Sequence, residues 1–281
     1  MNRNSASLMG GSIELSMALE GLHEQLQRYP RLAVAVSGGV DSMTLASVAH
    51  DVLGDRLQLV HAVSPAVPEE AGERIRYHAE RFGWSVEWVD AREFSDERYR
   101  KNPVNRCYYC KTNLYTRLSE VWDGPIASGA NLDDLGDYRP GLLAASEKQV
   151  VHPLIDAGID KAMVRAIARH QKLEDVAELP AQPCLSSRVE TGIAINADDL
   201  LFVHRTERYL EDVLGPGDLR CRITADGVRI EVPDALRQGH ASQWSSLKEE
   251  LQRRIDEDGR QFAGIDSYRR GSAFLHKTET K

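Results

Sequence analysis

The sequence predicts a doubly wound α/β domain with a parallel sheet, followed by a smaller α+β domain. Three observations carry that reading. Short apolar runs rich in β-branched residues recur at Leu32–Val36, Arg56–Val63, Ser85–Val89 and Pro125–Gly129, with helix-length segments between them, the signature of βαβ units. The first run breaks at Ser37-Gly38-Gly39-Val40-Asp41-Ser42 and restarts with Val40, Leu45, Val48 and Ala49 on one helical face. Beyond residue 190 the order changes to helix, hairpin, helix, strand. The domains are accordingly drawn as 1–188 and 189–281.

Taken in order, residues 12–28 place Ile13, Leu15, Met17, Leu19, Leu22 and Leu26 in an amphipathic helix ending at Tyr29-Pro30. A helix from Pro68 to Phe82 separates the second and third strands, and Asp160 to Gln171 is a short amphipathic helix. The proline-punctuated stretch from Leu179 to Arg188 is irregular. A long helix runs from about Asn196 to Leu214. The runs 219–223 and 228–232 form a hairpin through Asp226-Gly227. Gln243 to Glu257 is another helix, Gln261 to Ile265 the last strand, and Lys277 to Lys281 a frayed tail.

The turn at residues 37–42 hands a parallel strand over to a helix. There the backbone N–H groups lack partners, the macrodipole is positive, and two glycines let an anion approach the main chain. Phosphate is the natural guest. The absence of Gly-Lys-Ser/Thr separates the turn from the Walker pattern; it resembles the pyrophosphate-binding loop (PP-loop) of the ATP pyrophosphatase superfamily, with its adenine nucleotide alpha hydrolase-like fold. That resemblance implies that ATP is split to AMP and pyrophosphate to adenylate an oxygen. Ser37, Gly38, Gly39, Asp41 and Ser42 are then the nucleotide-binding residues, with Asp41 orienting Mg²⁺-bound pyrophosphate. In parallel sheets, ligands sit at the carboxyl ends of the strands. The fourth strand opens there into Gly129-Ala130-Asn131-Leu132-Asp133-Asp134, followed by Tyr138-Arg139. Asn131 and Asp134 join the nucleotide site on this reading, and the carboxylates suit Mg²⁺.

Composition narrows the partners. The chain has 281 residues, 42% hydrophobic and 28% charged, with a net charge of −8. That balance is typical of a soluble globular protein and lacks the basic footprint of a nucleic-acid binder. No apolar run approaches the ~20 residues that span a bilayer, and residues 1–7 lead into no signal-peptide core. A cytoplasmic protein without a membrane partner is expected.

Four cysteines with no export signal argue for reduced thiols. Cys107-Tyr108-Tyr109-Cys110 has the spacing by which two thiolates grip one metal centre. Alone, it is also compatible with a redox pair, half a zinc site or two neutral cysteines. Cys184 sits in a polar loop beside Ser186, Ser187 and Arg188, the setting of a reactive thiolate. Cys221 alternates with Arg220 and Arg222, so the arginines share one strand face and Cys221 takes the core side. Cys107, Cys110 and Cys184, if gathered, suit a [4Fe–4S] cluster with one iron open to an exogenous sulfide.

Together Ser37 to Ser42, Asn105 to Thr112, Gly129 to Asp134, Pro183 to Arg188, Leu219 to Arg222, Arg229 to Val232 and Gly264 to Arg269 resemble the LarE family of ATP-dependent sulfur transferases. The resemblance covers residues 12–274. It implies adenylation of the carboxylates of pyridinium-3,5-biscarboxylic acid mononucleotide and their conversion to thiocarboxylates, toward a nickel-pincer cofactor. It also implies a homo-hexamer built as a trimer of dimers, with active sites at subunit interfaces. Cys184 becomes the sulfur-transfer cysteine. Arg220 and Arg222 hold the substrate phosphate with Ser187 or Arg188 nearby, and Glu231 lies at the same site as a candidate metal ligand. Cys107 and Cys110 depart from the single-cysteine form, which surrenders its own sulfur; they match a three-cysteine subgroup in which a sulfide donor would charge the cluster. Two alternatives share the loop: a tRNA thiolase, which calls for a basic face, and a non-enzymatic nucleotide sensor, which needs no Cys184.

Overall fold

The computed structural model describes residues 3–136 and 140–273, with side chains from Gly11 onward. Tyr138, Arg139 and the tail Lys277–Lys281 lie outside the described residues. The chain divides into two units. One comprises Met1–Glu93 with Cys107–Gln182, and the other Phe94–Arg106 with Pro183–Lys281.

The first unit is built on four strands, β1 (Leu32–Ala35), β2 (Leu57–Val63), β3 (Val86–Asp90) and β4 (Ile126–Ala127). They form one all-parallel sheet in the order β3-β2-β1-β4. Side chains alternate between its faces, as a period of two requires. Leu32, Val34 and Leu59 enter one buried cluster with α1 (Arg3–Gln27) and α2 (Val40–Leu53). Ala33, Val60, Val89 and Ile126 enter another with Leu114, Tyr115 and Leu118. Both faces are covered, so the sheet is doubly wound, as the strand and helix alternation predicts.

Two helical details differ from the sequence pattern. In α1, Leu15, Leu19, Leu22 and Leu26 turn to the core, while Ile13 and Met17 are exposed. Only the first set follows a single i, i+4, i+7, i+11 stripe. The Cys107–Cys110 motif lies on a 16-residue helix, Arg106–Val121. Its polar first turns hide the periodicity, and its apolar stripe appears only at Leu114, Tyr115 and Leu118.

Because β1 lies between β2 and β4, the strand order reverses beside it. The loops after β1 and β4 therefore open at the same edge, the crevice where doubly wound sheets bind ligands. Gly129, after β4, fits that crevice because it has no side chain. A Cβ there would stand 2.7 Å from the backbone nitrogen of Ser42.

In the second unit, β5 (Arg220–Thr224), β6 (Gly227–Val232) and β7 (Phe262–Ser267) form a sheet, antiparallel then parallel. Leu200, Val203, Leu210, Leu247, Leu251 and Ile255, on the helices Ala197–Leu214 and Trp244–Glu257, are buried. The long helix is capped by Asn196, whose Oδ1 accepts from the Asp199 N–H at 2.8 Å. The β5–β6 turn consists of Ala225-Asp226, and Gly227 already pairs with Thr224. The sequence reading divides the chain after Arg188. The fold instead divides it before Pro183 and carries Phe94–Arg106 into the second unit. Asn102 shows why: its Nδ2 donates to the carbonyls of Val189 and Glu190, and its own carbonyl accepts from the Gly192 N–H.

Gly227 has φ +120°, and a Cβ there would lie 2.4 Å from the Gln261 carbonyl oxygen. Gly227→Ala should lower stability by about 2 kcal/mol or more, a strained-backbone effect. The check is a fall in the thermal unfolding midpoint.

Candidate functional site

In the first unit the sequence folds Ser37-Gly38-Gly39 into the elbow between β1 and α2. Gly38 takes φ +79°, which glycine adopts without penalty. Gly39 is the N-cap of the 14-residue helix α2 and offers no side-chain cap to the first N–H groups of that helix. Ser42 closes the loop from inside: its Oγ donates to the Gly39 carbonyl at 3.2 Å and accepts from the Ser37 N–H at 3.0 Å. The hydroxyl of Ser37 lies 3.1 Å from that of Ser42.

Asp41 stands in the first turn of α2 and joins three segments. Asn131 Nδ2 donates to its Oδ1 at 2.9 Å, and Lys161 Nζ donates to its Oδ2 at 2.6 Å. Asn131 is buried and held by its own neighbours, since Asp134 Oδ2 accepts its N–H and its Oδ1 accepts the Asp133 N–H. Asp133 also accepts the backbone N–H of Lys161 at 3.3 Å. The Asn/Asp cluster after β4 thus builds a cradle around Asp41. Nearby, His152 Nδ1 lies 2.9 Å from Ser128 Oγ. Burial pushes the His152 pKa below the ordinary histidine value, against the pull of Asp156 and Asp134. His61 is likewise pushed down by burial, against the hydrogen-bonding contact of its Nδ1 with the Val36 carbonyl at 2.8 Å.

Lys161 is the residue the sequence reading missed. The loop lacks the Walker lysine, yet the fold brings a lysine to it from 120 residues away. The available signal was its place at the start of a helix capped by Asp160, whose Oδ1 accepts from the Met163 N–H.

In the second unit, Cys184 leads into the tight turn Leu185–Arg188 and is exposed. The main chain around it is fixed by Arg188. That guanidinium donates from Nη1 to the carbonyls of Pro183 and Cys184 and to Ser187 Oγ, at 2.7, 3.3 and 3.0 Å. Its Nε and Nη2 meet both oxygens of Glu207. Burial opposes the Arg188 charge, and Glu207 more than offsets this, so its pKa lies above the usual arginine value. Tyr99 and Ser186 hydroxyls meet at 2.5 Å.

Arg220, Arg222 and Glu231 are all buried. Arg222 pairs with Glu231 and donates to the Ser187 carbonyl at 3.0 Å. Arg220 donates to the Leu219 carbonyl and Asp218 and lies over the Tyr268 ring. Arg222 and Glu231 wall a cavity of about 260 Å³ together with Glu190, Arg229 and Asp266. Cys221 is fully buried, and burial raises its thiol pKa. It is a core residue.

Cys107 is exposed and Cys110 half-buried, one helical turn apart in the first unit, whereas Cys184 belongs to the second. Among the described residues, no three His, Cys, Asp or Glu side chains gather as a metal-binding group. Thiols such as Cys107 and Cys110, one helical turn apart, are donors of the kind an iron–sulfur cluster takes. No helix among the described residues is long and apolar enough to cross a membrane.

Sequence comparison adds the family. The chain is 39% identical over 223 residues to an uncharacterized protein of Synechocystis sp., covering 78% of this chain and 82% of that one. It is 33% identical over 215 residues to the pyridinium-3,5-bisthiocarboxylic acid mononucleotide synthase of Lactiplantibacillus plantarum, covering 75% and 77%. The chain belongs to this LarE family. A GMP synthase (glutamine-hydrolyzing) of Chlamydia muridarum is 32% identical over 75 residues, 27% of this chain and 15% of that protein. No protein-family model matches the chain.

Within this LarE-family chain, the first unit brings Asp41, Asn131 and Lys161 together, and in the second unit Cys184 leads into a turn held by Arg188. Lys161→Met leaves Asp41 without this charged donor. On the expectation that residues 37–42 receive a nucleotide, binding of MgATP should weaken about tenfold or more, since charge-assisted bonds are worth about 1.5–3 kcal/mol. Titration calorimetry checks it.

Proposed function

We propose that this LarE-family chain is an ATP-dependent sulfur transferase acting on pyridinium-3,5-biscarboxylic acid mononucleotide. Its product is the corresponding thiocarboxylate, on the route to a nickel-pincer cofactor. The observation that carries the proposal is the uncapped glycine elbow at the start of α2, flanked by Lys161 and Asp41, in a chain of this family.

On this reading the ATP phosphates lie on residues 37–42, where backbone N–H groups and the positive helix end face them. Asp41 is the carboxylate for Mg²⁺, and Lys161, released from it, is a counter-charge for the phosphates. A substrate carboxylate oxygen bonds to the α-phosphorus and pyrophosphate leaves. The resulting acyl adenylate is electrophilic at the acyl carbon. A sulfur nucleophile bonds there, the acyl C–O bond breaks, and AMP departs. Arg220 and Arg222 are assigned the mononucleotide phosphate, a geometry suited to guanidinium groups, with Ser187 and Arg188 alongside; Arg222 lines a cavity that supports the assignment. Glu231, paired with Arg222, keeps that arginine oriented and remains the candidate metal ligand at the site.

For the sulfur, the proposal assigns Cys107, Cys110 and Cys184 as ligands of a [4Fe–4S] cluster, which supplies an iron able to carry sulfide from a donor. Support comes from the soft-thiolate chemistry of the three residues and from the exposure of Cys107 and Cys184. Homo-oligomeric assembly, a hexamer, belongs to the same reading.

The test is pyrophosphate release on adding the pyridinium substrate. Asp41→Ala should abolish it, whereas Cys184→Ala should retain it and lose thiocarboxylate formation. Full thiocarboxylate formation by Cys184→Ala would overturn the sulfur assignment. Anaerobic reconstitution with iron and sulfide should give a broad band near ~400 nm that Cys107→Ala removes. A Cys184 lighter by about 34 Da after turnover would instead show that the protein surrendered its own sulfur.

A further inference from the structure

The elbow between β1 and α2 has two unlike sides. On one, the helix Glu69–Phe82, which we label α3, is seated directly against Gly38: a Cβ there would stand 2.7 Å from the Ala71 carbonyl oxygen. On the other, a Cβ at Gly39 would meet nothing nearer than Ser37 Oγ, at 3.6 Å. From the packed side, Arg74 of α3 donates from Nη1 to the Gly38 carbonyl at 2.9 Å. Arg74 is half-buried, and burial lowers its pKa against the opposing pull of Asp175 and Glu70. Asp175 also contacts His78 Nε2 at 3.1 Å, so the acid that steadies Arg74 is itself tied to α3.

The consequence follows from peptide geometry. In a planar trans peptide the C=O and the following N–H point in opposite directions. With the Gly38 carbonyl drawn toward Arg74, the Gly39 N–H must point away from α3, to the open side. A peptide between two glycines has little steric reason to prefer that orientation, because glycine accepts positive and negative φ almost equally. Flipped, it would present a carbonyl oxygen to an incoming anion. The Ser37 N–H cannot substitute, since it is already bonded to Ser42 Oγ.

We propose that Arg74 is a positioning residue for pyrophosphate recognition: it holds the Gly38–Gly39 peptide with its N–H toward the bound anion. This rests on the reading of residues 37–42 as the pyrophosphate loop. Arg74 touches no reacting atom; it selects the backbone state that does.

The experiment measures binding of magnesium pyrophosphate and of MgATP to the full chain by calorimetry. Wild type is compared with Arg74→Met and Arg74→Lys, and thermal unfolding is followed in parallel. Arg74→Met should weaken both ligands about tenfold with an unfolding midpoint close to wild type, and Arg74→Lys, which keeps a charged donor, should recover part of the loss. A purely structural role would lower the midpoint and give no recovery with Lys. If Arg74→Met fails to fold, Arg74→Leu, which likewise has no donor, takes its place. Unchanged pyrophosphate affinity in a folded Met or Leu variant overturns the proposal alone. A wild-type chain that binds neither ligand overturns the loop reading and this proposal with it.

Discussion

The carboxylate of Asp41 is the point on which the first unit's site depends. It accepts from Asn131 after β4 and from Lys161 at the head of its own helix. Loops from two adjacent strands and a helix 120 residues downstream are thereby fixed to one turn of α2. An acidic side chain in the first turn also complements the helix dipole. Lys161 then balances the charge that Asp41 adds, and the two remain partly accessible. A site closed by an ion pair at a half-exposed position can exchange partners at modest cost, because such pairs contribute little in solvent. A dianionic ligand has something to compete for there.

The second unit uses its charges differently. Arg188 and Glu207 are both nearly out of solvent, and each makes further bonds: Glu207 Oε1 accepts the Cys221 N–H, and Arg188 grips the carbonyls around Cys184. Removing one partner of such a pair costs about 3–5 kcal/mol, because the other is left buried and unpaired. The pair therefore makes a rigid frame. Cys184 stands at the edge of that frame with its main chain pinned and its side chain exposed.

Much of this was legible in the residues. β1 to β4 announce themselves as β-branched runs, and the glycine elbow and the Asn/Asp cluster after β4 fall at the strand ends where a parallel sheet puts its ligands. Other features were hidden for identifiable reasons. The helix carrying Cys107 and Cys110 opens with Arg, Cys, Tyr, Tyr, Cys and Lys, so no apolar period marks its start. Lys161 is an ordinary helix-start lysine until the fold places it 2.6 Å from Asp41. The burial of Arg220 and Arg222 could not be read from an alternating strand, because alternation separates faces without saying which is solvated.

Two of the cysteines fall where the chain passes from one unit to the other. The chain leaves the first unit after Glu93, returns after Arg106 and leaves again after Gln182. Cys107 is the first residue after the second passage, and Cys184 the second residue after the third. Before each of these cysteines the chain is held by buried polar side chains: Arg106 bonds to Asn102 Oδ1, and Arg188 holds the Pro183 carbonyl. At both positions the thiol stands outside a core and is exposed, whereas Cys221 is fully buried and burial raises its pKa. A thiol must be exposed and able to ionise to react, so Cys221 is the one of these three whose surroundings suit a structural role alone.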